Sequence, residues 1–167
     1  MEKVKIIDIE IDKKTINDVI DVLKSGTIAS GPKVLELEAK FSEYVGSKYA
    51  IAVNSGTSAL HTALYACGIG PGDKVITTPF TFVATANSIL MAGAKPVFVD
   101  VGDDMNIDVE KIINKVNNKT KAIIAVNLFG KPCNYEKLKE ICKKNNLFLI
   151  EDATQSVGSK YNNVSSG

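Results

Sequence analysis

Apolar positions recur every three or four places up to about Val45, and beyond Tyr49 they gather into short runs separated by helical stripes. Ile16, Val19, Ile20 and Leu23 predict a short amphipathic helix over 15–23, which Ser25-Gly26 stops. After a loop over 27–32, Pro32 opens a second helix with Val34, Leu37, Phe41 and Val45 on one face and Gly46 as its end. Tyr49 to Val53 reads as a compact buried strand. The helix over 57–67 that follows turns Ala59, Leu60, Ala63, Leu64 and Cys67 inward, and Gly68, Gly70, Pro71 and Gly72 end it. A strand over 75–78, a helix over 82–91, a turn over 93–96 and a strand over 97–100 come next. Asp108 caps a helix reaching about Val116, 122–126 makes a strand, Asn134 caps a helix over 135–144, and 148–150 makes the last strand.

Apolar strands alternating with helices predict an α/β fold around a mostly parallel sheet. Right-handed crossovers then bring the carboxyl ends of the strands to one edge, where ligands bind in such sheets. The chain divides into an N-terminal helical segment, 1–47, and a sheet region, 48–167.

Composition narrows the function classes. A length of 167 residues with 45% hydrophobic content suits one domain with a sizeable core. Twenty Lys and Arg against nineteen Asp and Glu give a formal charge of +1, which makes no electrostatic case for nucleic acid or membrane partners. Cys67, Cys133 and Cys142 form no Cys-x-x-Cys pair and no even-numbered framework, and read as reduced thiols of a cytoplasmic protein. Charges interrupt 1–11, which argues against a signal peptide, and no apolar run approaches the ~20 residues of a membrane span.

Two segments at predicted strand ends carry chemistry. Ser55-Gly56-Thr57-Ser58 opens a helix, so free N–H groups and the positive end of the helix dipole converge on an anion site. Gly56 lets backbone approach a phosphate, and Thr57 and Ser58 add hydroxyls. Such a turn also caps a helix with no ligand at all. Asp152 follows an apolar strand, where a carboxylate needs a cation or hydrogen-bond donors; a pyridinium is such a cation, and Gln155 offers a donor to a phenolic oxygen on the same ring. A capping Asp152 with a merely polar Gln155 is the alternative. Phe82, in Pro79 to Thr85, sets an aromatic near the same edge, to stack on a ring or to serve as helix–sheet core. Together these describe a pocket for pyridoxal 5′-phosphate (PLP).

The order and spacing of these segments resemble the amino-terminal part of the DegT/DnrJ/StrS-type nucleotide-sugar aminotransferases. The resemblance runs from about Gly26 to the end, through Ser30-Gly31-Pro32-Lys33-Val34, Asn54 to Leu60, Gly70-Pro71-Gly72-Asp73, Pro79 to Thr85, Gly93 to Asp100 and Glu151 to Gln155. It implies the three-layer large domain of the PLP-dependent aspartate aminotransferase fold. It also implies Gly56, Thr57 and Ser58 as phosphate contacts, Phe82 as the stacking ring, Asp152 opposite the ring nitrogen and Gln155 opposite the ring hydroxyl. Gly31-Pro32 would lie near the substrate entrance. The activity implied is transfer of an amino group from an amino acid, glutamate, to a nucleotide-linked ketosugar in polysaccharide biosynthesis, by a cytoplasmic homodimer.

Departures from the family pattern matter as well. Asn127 stands where the family often has a histidine, and Asn hydrogen-bonds but does not titrate. The family's Schiff-base lysine, a phosphate-binding serine, the rest of the sheet and a small carboxy-terminal domain would all come after Gly167. Lys160, the only lysine beyond Asp152, lacks the flanks of that segment and reads as solvated; His61, on the helix behind the phosphate turn, reads as a packing or surface residue. The expectation is therefore a chain that is inactive alone. A pyridoxamine-dependent sugar dehydratase relative and a noncatalytic binding or oligomerising module are the competing readings.

Overall fold

Four parallel strands form the centre of the computed structural model, which describes residues 9–167. They are β1 (Lys74–Thr77), β2 (Lys95–Phe98), β3 (Thr120–Val126) and β4 (Phe148–Asp152), in the spatial order β2-β1-β3-β4. Successive side chains along a strand face opposite sides, so two separate cores form. Val75, Ala122, Ile124 and Ile150 pack with Leu60 and Leu64 of α3 (Gly56–Ala66) and Ile89 of α4 (Ala84–Met91). Ile76, Ile123 and Ala125 pack on the other face with Ile112 of α5 (Val109–Ile112) and Leu138 and Cys142 of α6 (Tyr135–Asn145). The result is the expected three-layer α/β arrangement. Pro96, which has no N–H for a ladder, sits in the edge strand β2 where that loss costs least.

The connections set where a ligand can enter. From β1 the chain passes through α4 to β2 on one side, whereas from β3 it passes through α6 to β4 on the other. The strand order thus reverses between β1 and β3. A crevice opens at such a reversal, beyond the carboxyl ends of the strands.

The run Tyr49 to Val53 does not form the strand its composition predicts. Tyr49 and Ile51 remain 73% and 78% exposed, and no described strand pairs with them. Apolar residues favour a pleated surface, but a strand exists only where a neighbour answers its backbone N–H and C=O groups. Here the Ala52 N–H donates instead to Glu38 Oε1 at 2.9 Å.

Two helices precede the sheet. Asp12 accepts from the Thr15 N–H at 2.7 Å to start α1 (Lys13–Ser25), and Gly26 ends it at φ 73°. Pro32 opens α2 (Pro32–Val45), whose one buried residue is Val45; α1 has none. The amino-terminal stretch weighed as a leader lies, over Met1 to Asp8, outside the described residues. Near the other end, β5 (Lys160–Tyr161) and β6 (Val164–Ser165) form a hairpin whose Asn162 and Asn163 both take positive φ, the backbone of a tight two-residue turn.

Asn127, one residue past β3, is fully buried and joins four parts of the fold. Its Nδ2 donates to Glu151 at the end of β4 and to the hydroxyls of Ser156 and Ser166, the latter at 2.8 Å. Its Oδ1 accepts from the Cys133 N–H and the Tyr135 hydroxyl at 2.9 and 2.8 Å. At this position the asparagine supplies donors on one side and an acceptor on the other with no charge to bury.

Removing that amide strands several buried groups at once. Asn127→Leu should lower unfolding stability by about 2–4 kcal/mol in urea titration, and a loss within experimental error would contradict the role given to this network. Burial also governs the thiols. It pushes Cys133 up to about 12, with the Asp104 carboxylate adding to the effect, and Cys142 up to about 11. A raised thiol holds its proton as pH climbs, so neither forms appreciable thiolate at pH 8. Iodoacetamide at that pH should therefore label half-buried Cys67 ahead of both in mass-mapped peptides, despite an upward shift by burial at Cys67 as well.

Candidate functional site

Every cleft-forming element reaches the same sheet edge. Ser55, Gly56 and Thr57 come from the start of α3, Thr81 and Phe82 from the loop after β1, Thr85 from the first turn of α4, and Asp152, Thr154 and Gln155 from the end of β4 and the turn after it. With Val126 and Leu128 at the end of β3 they line a cleft of about 310 Å³, a size suited to a small molecule. A second cleft of about 460 Å³ lies against α6, β4 and the β5–β6 hairpin. It is larger, but the converging donors and the buried carboxylate belong to the first.

At one end of the cleft, Ser55 caps α3, its Oγ accepting from the Ser58 N–H at 3.2 Å. The N–H groups of Gly56 and Thr57 belong to the first helical turn, which has no carbonyl one turn earlier to receive them, and the helix dipole adds positive potential. Ser58 does not line the cleft; its N–H donates to Ser55 Oγ and its hydroxyl oxygen accepts from Ser55 Oγ at 3.0 Å. A Cβ on Gly56 would come within 3.2 Å of Thr154 Oγ1, a tight approach that favours glycine there.

Thr154 connects this end to the acid. Its Oγ1 donates to Asp152 Oδ1 at 2.7 Å, with a longer bond from its N–H at 3.3 Å, and Thr85 Oγ1 donates to Asp152 Oδ2 at 2.9 Å. Asp152 is 7% exposed, so these donors compensate a carboxylate largely removed from water. A carboxylate has about four acceptor positions; three donors leave room for one more. The Oε1 of Gln155 accepts from the Phe129 N–H at 3.0 Å, which frees its NH₂ group as a donor. Phe82 borders the cleft and is 72% exposed, placing its ring at the mouth rather than in the core.

Five of the six sequence-selected cofactor residues, Gly56, Thr57, Phe82, Asp152 and Gln155, therefore border one cleft. His61, Gly31, Pro32 and Lys160 do not line it, and no lysine does among the described residues. Thr81, Thr85 and Thr154 do, although none was assigned a role. Their signal was spacing: Thr81 and Thr85 lie four apart at a helix start, and a threonine two after an aspartate suits a side-chain turn. Among the described residues, no group of three His, Cys, Asp or Glu side chains could hold a metal ion, and no helix is long and apolar enough to cross a membrane.

Comparison with known proteins places this geometry in context. The model of the DegT/DnrJ/EryC1/StrS aminotransferase family matches residues 9–167. The spore coat polysaccharide biosynthesis protein SpsC of Bacillus subtilis is 44% identical over 152 residues, covering 90% of this chain and 39% of its own length. GDP-perosamine synthase of Vibrio cholerae is 40% identical over 153 residues, covering 90% of this chain and 41% of its own. The crystal structure of NtdA from Bacillus subtilis, with bound cofactor PMP, superposes with a TM-score of 0.84 at 37% identity, over 86% of this chain and 33% of that one. The chain thus spans about two fifths of the length of the curated relatives it matches. A helix start and a buried acid border one cleft at the edge of a parallel sheet; the family model matches nearly the whole chain, and the chain belongs to the DegT/DnrJ/EryC1/StrS aminotransferase family.

Proposed function

We propose that the cleft holds pyridoxal 5′-phosphate and that the chain serves transfer of an amino group from an amino acid, glutamate, to the keto group of a nucleotide-linked sugar in polysaccharide biosynthesis. The observation that carries this reading is the approach of Gly56 to Thr154, which itself holds Asp152, so that phosphate donors and acid border one small-molecule cleft. The donor set fits the cofactor at each end. Backbone N–H groups of Gly56 and Thr57, with the Thr57 hydroxyl, suit the phosphate. The remaining acceptor position of Asp152 suits a protonated ring nitrogen, and the freed amide of Gln155 suits the ring hydroxyl.

When bound, the cofactor supplies an electron sink for the charge left as a substrate Cα–H bond breaks. Asp152 holds the proton on the ring nitrogen, Phe82 covers a ring face at the mouth, and the α3 turn fixes the phosphate end. With no lysine along the described lining, this reading places the amine that bonds the cofactor outside the residues 9–167. It also makes residues 1–47 a helical segment beside a PLP-binding large domain and joins two copies as a homodimer. Supporting the last point, Ile16, Val19, Leu23, Leu35 and Leu37 on α1 and α2 stay exposed.

Calorimetry with pyridoxamine 5′-phosphate (PMP) tests the reading. The wild-type chain should bind, and Asp152→Asn should weaken binding about tenfold or more while leaving the affinity for inorganic phosphate unchanged. Equal PMP affinity in the two proteins, or no uptake by the wild type, overturns it. Borohydride reduction after PLP addition checks the placement of the amine: a stable adduct at one defined lysine of this chain would contradict it.

A further inference from the structure

Thr85 is 1% exposed, and its hydroxyl bridges two elements 67 positions apart in sequence. An ionised carboxylate only accepts, so Thr85 spends its one hydroxyl proton on Asp152 Oδ2. Its oxygen is then the acceptor in the 2.9 Å contact with Thr81, whose hydroxyl must be the donor. The chain of bonds is therefore directional, from Thr81 through Thr85 to Asp152. The two Asp152 oxygens differ as well: Oδ1 receives both the N–H and the hydroxyl of Thr154, whereas Oδ2 receives Thr85 alone. Oδ2 keeps an open acceptor position, and both Thr81 and Thr85 border the cleft.

The same turn carries Phe82, whose carbonyl accepts from the Thr85 N–H at 3.1 Å. Ser88 Oγ in turn donates to the Thr85 carbonyl at 2.9 Å, so backbone and side chain of this threonine are held together. A branched Cβ further restricts its rotamers.

We propose that Thr85 is the positioning residue for Asp152, its Thr81-supported hydroxyl holding the carboxylate plane so that Oδ2 meets the ring nitrogen of a bound pyridoxal or pyridoxamine phosphate. The inference rests on the cofactor reading above and goes beyond it, since that reading requires only the acid. Without the Thr85 hydroxyl the carboxylate is held by Thr154 alone, through Oδ1, and its plane loses the bond that fixes Oδ2.

The test uses the 167-residue chain and PMP carrying ¹⁵N in the ring, at a pH where free PMP has lost the ring proton. Bound to wild type, the nitrogen should show the chemical shift of the protonated ring. Thr85→Val should move it toward the neutral value and weaken PMP binding about tenfold, Thr85→Ser should restore both, and affinity for inorganic phosphate should not change. A wild-type shift in Thr85→Val, or equal loss of phosphate and PMP affinity in it, overturns the positioning role. If Thr85→Val does not fold by circular dichroism, Thr85→Ala, which also lacks the hydroxyl and adds no bulk, supplies the same comparison. Failure of the wild type to bind PMP, or a neutral ring nitrogen in its complex, sinks the cofactor reading itself and this inference with it.

Discussion

A carboxylate at the tip of a buried strand must be answered by donors, and at Asp152 that requirement organises the edge of the sheet. Thr154 answers from the same turn, and Thr85 from a helix on another part of the chain. Those bonds draw α4, β4 and the loop after β4 toward one point. They compensate the cost of burial through hydroxyl and backbone donors, without a basic partner among the bonded groups.

The opposite end of the cleft is built by backbone. The cap at Ser55 fixes the start of α3, and the closeness of Gly56 to Thr154 sets how near the helix comes to the acid. Neither group would face the other without the strand reversal between β1 and β3, which opens the edge of the sheet at that point. Two apolar cores, one on each face, hold the strands whose ends carry the polar groups. Packing and chemistry are separated along β1 and β4: apolar residues in the body, Thr77 and Glu151-Asp152 at the carboxyl tip.

Asn127 joins several parts of the fold through one uncharged side chain. It ties β3, β4, α6 and the last residues together through hydrogen bonds that carry no net charge. Gln155, next in sequence to the Ser156 that Asn127 bonds, uses the Phe129 N–H to fix its amide. The backbone at Phe129 and Gly130 is left-handed, φ 53° and 85°, which turns the chain there. The site thus depends on supports that touch no ligand in the proposed reading.

Much of this was legible in the residues. Helix stops at Gly26 and Gly46, the cap at Asn134 and the apolar runs of β1, β3 and β4 follow local rules, because each depends on neighbours within a turn. Helix starts shifted by one or two residues, as at α3 and α4, where capping geometry decides the first turn. Tyr49 to Val53 failed as a strand because pairing is a relation between segments, and composition supplies only one of them. Ser58 lies off the cleft lining, and its hydroxyl oxygen accepts from Ser55 in the cap. By itself the sequence determined the alternation of elements, the parallel sheet and the candidate residues at the strand tips. Only the tertiary structure decided that Thr85 reaches Asp152, that Thr154 stands between the acid and the first turn of α3, and that the Gln155 amide is oriented by Phe129. Those bonds join residues far apart along the chain or depend on the direction in which a side chain turns, and neither is encoded in local periodicity.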